Sequence, residues 1–342
     1  MAIVSFLYNN NSNDHTPQKD TEITEEEKLK IIESIKKSLN EMNIHFTNEH
    51  IVQFLVANSW IKEAAKQHII SSMEWREKEK IDYWPVATKY NKLPLLVSVR
   101  GYKYIQDANT EYHPDLSEST IRILNYMGGD CFHKFDKEGH PILIDRTGYH
   151  QSKEIGINVN DEELKNYQVS CNEFLSRVLF PEATERAGRY IHKETIIFDC
   201  EHMGLFQFHM AGLNKMKQVL AYLQSYYPET LHHLFVVNAP SAFLIMWKVV
   251  KPWLDQRTLD KVHILGKDYK DCLLKYIDSD SLPDFLGGSC TCKHMQGGCV
   301  PSIIKGTIPS LKITNDNQKV ATSYNSDIMD QARQNKNLTN LV

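Results

Sequence analysis

Apolar residues recur at helical spacing from the mid-twenties of the chain onward, directly behind a capping signature. Thr24-Glu25-Glu26-Glu27 sets a hydroxyl cap three residues before a carboxylate that can reach back to it. Ile31, Ile35 and Leu39 continue on one face. Thr47 or Asn48 can cap a second helix carrying Ile51, Phe54 and Leu55. A third helix is predicted from about Trp60 to Ile81, with Ile61, Ala65, Ile69 and Met73 on one stripe and Arg76 next along it. Residues 24–95 thus read as a small helical lobe.

From about residue 112 the pattern becomes an alternation. Short apolar runs predict strands at HPILIDR (140–146), ETIIFD (194–199), HLFVVNA (233–239) and KVHILG (261–266). Longer periodic stretches between and after them predict helices over 163–180, 206–227, 241–250 and 268–277. Strands alternating with helices imply an α/β domain over 112–290 with a mostly parallel, helix-covered sheet. Residues 1–23 are polar and Asn-rich, and 291–342 turn polar again, so both ends are expected to be mostly disordered.

Composition narrows the function classes. The chain has 342 residues, 42% of them hydrophobic, and a formal net charge of −4, so nothing global points to nucleic acid. The first residues lack a basic region and a cleavage site, and LFVVNAPSAFLIMW (234–247) is too short and too interrupted to span a bilayer. Seven scattered cysteines without an export signal imply reduced thiols and a cytosolic protein.

Familiar catalytic patterns (a nucleophile elbow, a Walker loop, a dinucleotide fingerprint, a zincin helix) do not occur. Asp145 and Asp199 lie near strand ends, where α/β enzymes keep acids, but such residues also cap and turn. His209, His232 and His233 lack metal-ligand spacing and read as structural. Cys290, Cys292, His294 and Cys299 could supply four zinc ligands, although their spacing is uncommon and reduced loop thiols are the plainer reading. Helix 241–250 is apolar on every side and flanked by Lys248, Lys251, Trp247 and Trp253. Complete burial and a membrane-facing role both fit that composition.

Taken together, YYPETLHHLFVVNAPSAFLIMWKVVKPWLDQRTLDKVHILG, LPDFLGGSCTC, MEWREKEKI and HKFDKEGHPILI resemble the CRAL-TRIO lipid-binding domain. The likeness is to the phosphatidylinositol/phosphatidylcholine transfer branch of the fungal and plant secretory pathway, over about residues 50–300. The resemblance implies a sheet flooring an apolar lipid pocket, with 241–250 as a gating helix whose Phe243, Leu244, Met246, Trp247 and Val250 line or cover it. It also implies a phosphatidylinositol headgroup site of Arg76, Asp136, Glu229, Thr258 and Lys261. Cations and carboxylates suit a phosphodiester and inositol hydroxyls respectively. No enzymatic cofactor is implied. The implied partners are a phospholipid, a membrane surface met transiently (Golgi or endosomal) and a phosphoinositide kinase served with lipid.

At the positions of the family's phosphatidylcholine site this chain has Glu194 and Ile196 where Ser and Thr are usual, and Phe132 and Leu143 where tyrosines are usual. Phosphatidylcholine binding is therefore expected to be weakened. A CRAL-TRIO carrier of another hydrophobic ligand, and a lipid-sensing regulator that does not transfer, remain alternative readings.

Overall fold

Thr24 Oγ1 accepts from the Glu27 amide at 3.2 Å while Glu27 Oε2 accepts from the Thr24 amide at 2.8 Å, so the capping box starts α1 (Glu25–Glu41). Helix α2 (Asn48–Ala57) opens on the Thr47 hydroxyl, and α3 (Lys62–Lys78) follows. The computed structural model describes residues 23–84, 86, 98–102, 118–254 and 256–310. The expectations for 1–22 and for 311–342 fall outside them. Ile35, Leu39, Ile51, Leu55, Ala65 and Ile69 are fully buried in the core of this three-helix lobe. Helix α3 is shorter than predicted: Ile61 is its exposed N-cap, and Lys80 at φ 54 turns the chain out of helical geometry.

The α/β part begins with β1 (Ser98–Arg100), α4 (Glu118–Tyr126), β2 (Asp130–Phe135) and β3 (Pro141–Asp145). It continues through α5 (Ser152–Asn158), α6 (Asp161–Phe174) and α7 (Phe180–Ala187), then β4 (Glu194–Asp199), α8 (Met210–Tyr226) and β5 (Leu231–Val237). The segment expected to gate the pocket is α9 (Ser241–Val250), followed by α10 (Gln256–Leu259), β6 (Val262–Ile264) and α11 (Lys270–Tyr276). A wider helical turn over 175–179 joins α6 to α7, next to Pro181, which has no amide to donate. The sequence pattern did not indicate β1, β2, α4 or α5.

The six strands lie side by side in chain order, all parallel except the β2–β3 hairpin. Right-handed crossovers between strands laid down in one direction put their helices on one face. That face carries Phe132, Leu143, Ile196, Phe198, Leu234 and Val236 against the helices. The alternate residues Cys131, Ile142, Ile144, Ile197, Phe235 and Val237 form the other face, covered by Tyr269, Leu273, Ile277, Leu282, Leu286 and Val300.

One boundary moves. The extension expected to be disordered from 291 is packed through its first part: Cys292, Cys299, Val300, Ser302 and Ile308 are buried. Apolar residues interleaved with polar ones in that stretch meet the open face of the sheet, which the local sequence does not reveal.

Candidate functional site

Three basic or acidic side chains stand where the chain enters parallel strands. Lys193 precedes β4, Glu229 precedes β5 and Lys261 precedes β6, so all three gather at the amino edge of the sheet. Lys261 Nζ donates to Glu229 Oε2 at 3.0 Å. The carboxylate side chain is 3% exposed and the lysine 18%. Glu229 is held at φ 56, a left-handed turn that aims it back at β6. Its second oxygen, Oε1, is buried and accepts no hydrogen bond among the described residues. Thr258 is buried on α10, and its carbonyl accepts from the Lys261 amide at 2.9 Å. Burial, and then the charge of Lys261, hold the Lys193 ammonium below its ordinary pKa. Lys261 is paired with Glu229, while Lys193 feels the charge of both, so an anion there would meet two ammonium groups.

The other two expected headgroup residues are engaged separately. Asp136 Oδ1 accepts from the Glu138 and His140 amides, both at 2.9 Å, and Oδ2 from Thr195 Oγ1 at 2.7 Å and the His140 ring at 3.1 Å. Burial would raise the Asp136 pKa, but the His140 and Thr195 contacts hold it below the usual carboxylate range. Arg76 pairs with Asp82 and, at 2.9 and 3.0 Å, with both oxygens of Glu173. Glu173 is 1% exposed and also accepts from Tyr227 Oη at 2.7 Å. Beside it Trp75 stacks on Tyr226 at 4.0 Å, so Arg76 ties the lobe to α6 and α8. The structure therefore brings Glu229, Thr258 and Lys261 together, and sets Asp136 and Arg76 in hydrogen-bonded positions of their own.

Histidines fill the space around Asp136 and the lysines. The His140 and His232 rings lie 3.7 Å apart, and His233 meets His263 at 3.2 Å. Burial, then the neighbouring Lys193, pushes His192 down to about 3. Burial, then His140, does the same to His232. Neutral rings accept as well as donate, so they extend the polar lining without adding charge.

On α9, Phe243 and Val250 are buried, and Met246 and Trp247 pack half-buried against the helix-side core. Leu244 does not line the interior. It is 49% exposed, with Ile245 at 59% and Val249 at 50%, so the outer face is apolar as well. A cleft of about 320 Å³ opens between α9, α10 and β6, lined by Trp247, Lys251, Gln256, Leu259, Val262 and Ile264. Leu205, Phe206 and Met210, also exposed, follow β4 at the same carboxyl edge from which α9 follows β5.

Phe132, Leu143, Ile196 and Leu234 are cross-strand partners in one row of the helix-side face. This rung is apolar from end to end. Glu194 lies on the same side of β4 by alternation, 4% exposed, and burial pushes its carboxyl up to about 8. Its Oε2 has no donor among the described residues.

At the opposite, carboxyl edge the acids are structural. Asp199 Oδ1 accepts from the Asn238 side chain at 2.8 Å and the Glu201 amide at 3.1 Å. Asp145 Oδ1 lies 3.0 Å from His150 Nε2, and that ring takes the Gly128 amide at 2.8 Å on its other nitrogen. His209 caps α8.

The cysteine cluster forms, but with a different imidazole. Cys290, Cys292 and Cys299 gather with His133 of β2, their potential ligand atoms all within 4.8 Å of one another. His294 is exposed and stands outside this group. Sequence spacing could not find His133, because it comes from a distant strand. Lys193 was missed too; its only signal is a basic residue just before a strand.

Residues 125–288 match the CRAL/TRIO domain. The chain is 39% identical over 189 residues to the phosphatidylinositol/phosphatidylcholine transfer protein SFH4 of Arabidopsis thaliana, covering 55% of this chain and 30% of that one. It is 30% identical over 285 residues to SFH12 of the same plant, covering 82% and 47%. With the Sec14 cytosolic factor of Schizosaccharomyces pombe it shares 31% over 195 residues, covering 57% and 65%. The chain thus spans half or less of the two plant relatives. The crystal structure of Sfh5 superposes with a TM-score of 0.52 at 12% identity, covering 91% of this chain and 100% of that one, a likeness of fold. No described helix is long and apolar enough to cross a membrane.

Proposed function

This chain belongs to the CRAL/TRIO family, and on that footing we propose that it binds phosphatidylinositol and carries it between membranes. The observation that carries the proposal is the Lys261–Glu229 pair beside Lys193, with Glu229 Oε1 still open to a donor. The two ammoniums receive the phosphodiester as charge-assisted donors, and Glu229 Oε1 takes an inositol hydroxyl. Thr258 belongs to the turn that carries Lys261, its carbonyl accepting from the Lys261 amide. Asp136 orients the histidine lining, and Arg76 fixes the lobe against which the headgroup rests.

The acyl chains lie along the apolar rung of Phe132, Leu143, Ile196 and Leu234 once α9 swings outward. A diacyl lipid has roughly thirty chain carbons, and at about 0.8 kcal/mol per methylene their exposure costs on the order of 20 kcal/mol. Moving the chains from bilayer to protein without passing through water removes most of that barrier. Leu244, Ile245 and Val249, with Lys248 and Lys251 beside them, enter the membrane surface during exchange. The rung keeps a single aromatic ring, Phe132, and the protonated Glu194 offers a choline headgroup no ionised carboxylate. Transfer of phosphatidylcholine is correspondingly weak. Placing the headgroup at the edge of the sheet supports the finer reading that the lipid is offered to a phosphoinositide kinase.

The test is movement of labelled phosphatidylinositol and phosphatidylcholine between vesicles, for wild type and Thr258→Asp/Lys261→Ala. Inositol-lipid transfer that disappears in the variant supports the site. Equal transfer by both proteins removes the headgroup assignment. Failure to transfer either lipid favours a sensor or another ligand, which mass spectrometry of co-purified lipid would identify.

A further inference from the structure

On the face of the sheet away from the lipid rung, β2 contributes Cys131 and His133, while Phe132 between them points to the rung. Fully buried His133 directs Nδ1 at the Ser281 carbonyl, 3.1 Å away, and Nε2 at Cys292 Sγ, 3.6 Å away. Cys290 Sγ is 3.6 Å from Cys292 Sγ. We propose that Cys290, Cys292, Cys299 and His133 bind one zinc ion that fastens the C-terminal segment to β2.

Four observations carry this. In a tetrahedral site with Zn–S about 2.3 Å and Zn–N about 2.0 Å, S···S edges are roughly 3.8 Å and S···N edges roughly 3.5 Å. The distances above match those edges, and the four ligand atoms lie within 4.8 Å of one another. The Ser281 carbonyl fixes the Nδ1–H tautomer, which frees Nε2 to ligate, the usual outer-shell partner of a zinc-bound histidine.

Charge gives the third. Arg100 is the cross-strand partner of His133, is 1% exposed, and donates only to carbonyls among the described residues: Val99, Gln296 and Gly298. A Zn²⁺ with three thiolates and a neutral imidazole carries a net charge of −1, which offsets this buried guanidinium. The fourth is the backbone. Cys292 at φ 42 and Gly297 and Gly298 at φ 77 and 69 curl 290–299 so that its three sulfurs converge. A Cβ on Gly297 would come within 2.7 Å of the Pro301 side chain, so the curl requires glycine there. Binding releases the thiol protons and ties loop to strand.

Metal analysis of the full chain, purified under reducing conditions without chelator, tests the site. The expected result is about one zinc ion per chain, retained by His294→Ala and reduced to background by Cys292→Ser and by His133→Leu. Should those variants fail to fold, the wild-type chain is stripped and refilled with Co²⁺. The strong visible absorption of a tetrahedral thiolate site, with sulfur-to-metal charge transfer, is then expected. A metal-free chain with reactive thiols at all three positions, or a Cys290–Cys292 disulfide in the mass spectrum, overturns the proposal. So does zinc that His294→Ala removes and His133→Leu retains.

Discussion

Lys261 and Glu229 form a 3.0 Å ion pair across the start of β5 and β6, with the carboxylate almost wholly removed from water. A buried pair of this kind is costly to break from one side, because the surviving charge loses its partner. Lys261→Ala is expected to lower stability by about 3 kcal/mol and to abolish phosphatidylinositol transfer. Lys261→Met combined with Glu229→Gln removes both charges, so most of the stability should return while transfer stays lost. Thermal melts and vesicle assays on the two proteins separate folding from binding. Recovery of both together would make the pair purely structural.

Arg76 gives a contrasting case. It sits on Asp82 and Glu173, and Glu173 keeps the Tyr227 hydroxyl and, at 3.8 Å, Arg177 when Arg76 is removed. Arg76→Ala is expected to cost about 3 kcal/mol in urea unfolding through the bridge between lobe and sheet domain. Affinity for inositol lipid, measured at temperatures where the variant is folded, should change little. A variant of normal stability that no longer binds would return Arg76 to the headgroup.

Glu194 makes stability depend on pH in one direction. Its folded pKa of about 8 exceeds the model-peptide value of 4.5, so between those limits the folded state holds a proton that the unfolded state has released. Stability from this group is full below about pH 4.5 and is lost as pH rises to about 8. Glu194→Gln should flatten that slope in denaturant titrations at stepped pH. An unchanged slope would mean the carboxyl is already ionised.

His192 and His232 act with the opposite sign. Both have folded values near 3 against 6.5 unfolded, so the unfolded state takes up protons first as pH falls. Their contribution is intact above pH 6.5 and drains away toward pH 3. Replacing both by Gln is expected to reduce acid sensitivity in that window, read as the pH of half-unfolding.

The outer face of α9 should tolerate charge in solution but not at a membrane. Ile245→Glu and Val249→Glu alter exposed positions, so melting should move by no more than about 0.5 kcal/mol equivalent. Sedimentation with vesicles, and transfer of phosphatidylinositol, should fall together. Unaltered transfer would assign membrane contact elsewhere, with Leu205, Phe206 and Met210 the next surface to change.

Legibility followed the range of the forces involved. The capping box at Thr24, the β4 run ETIIFD and the all-round apolar α9 were readable because each is fixed by residues a few places apart. Strand β1 was not, since three residues buried by neighbours carry no period of their own. Of the proposed headgroup set, the resemblance supplied Arg76, Asp136, Glu229, Thr258 and Lys261, but not the Glu229–Lys261 pairing, which depends on two strands being adjacent. It could not supply Lys193, or show that Asp136 is consumed by its own turn. The exchange of His294 for His133 has the same origin: a ligand set completed across 157 residues has no local spacing to read.

The order of strands along the chain also sets an order in time. Residues up to Ile264 complete every described strand and the described helices between strands, so one side of the sheet is clothed while the chain is still being made. The other side, with Ile142, Ile144, Ile197, Phe235 and Val237, waits for α11 and the segment through Val300. A nascent chain paused between those points presents a bare apolar wall that invites self-association and calls for a chaperone.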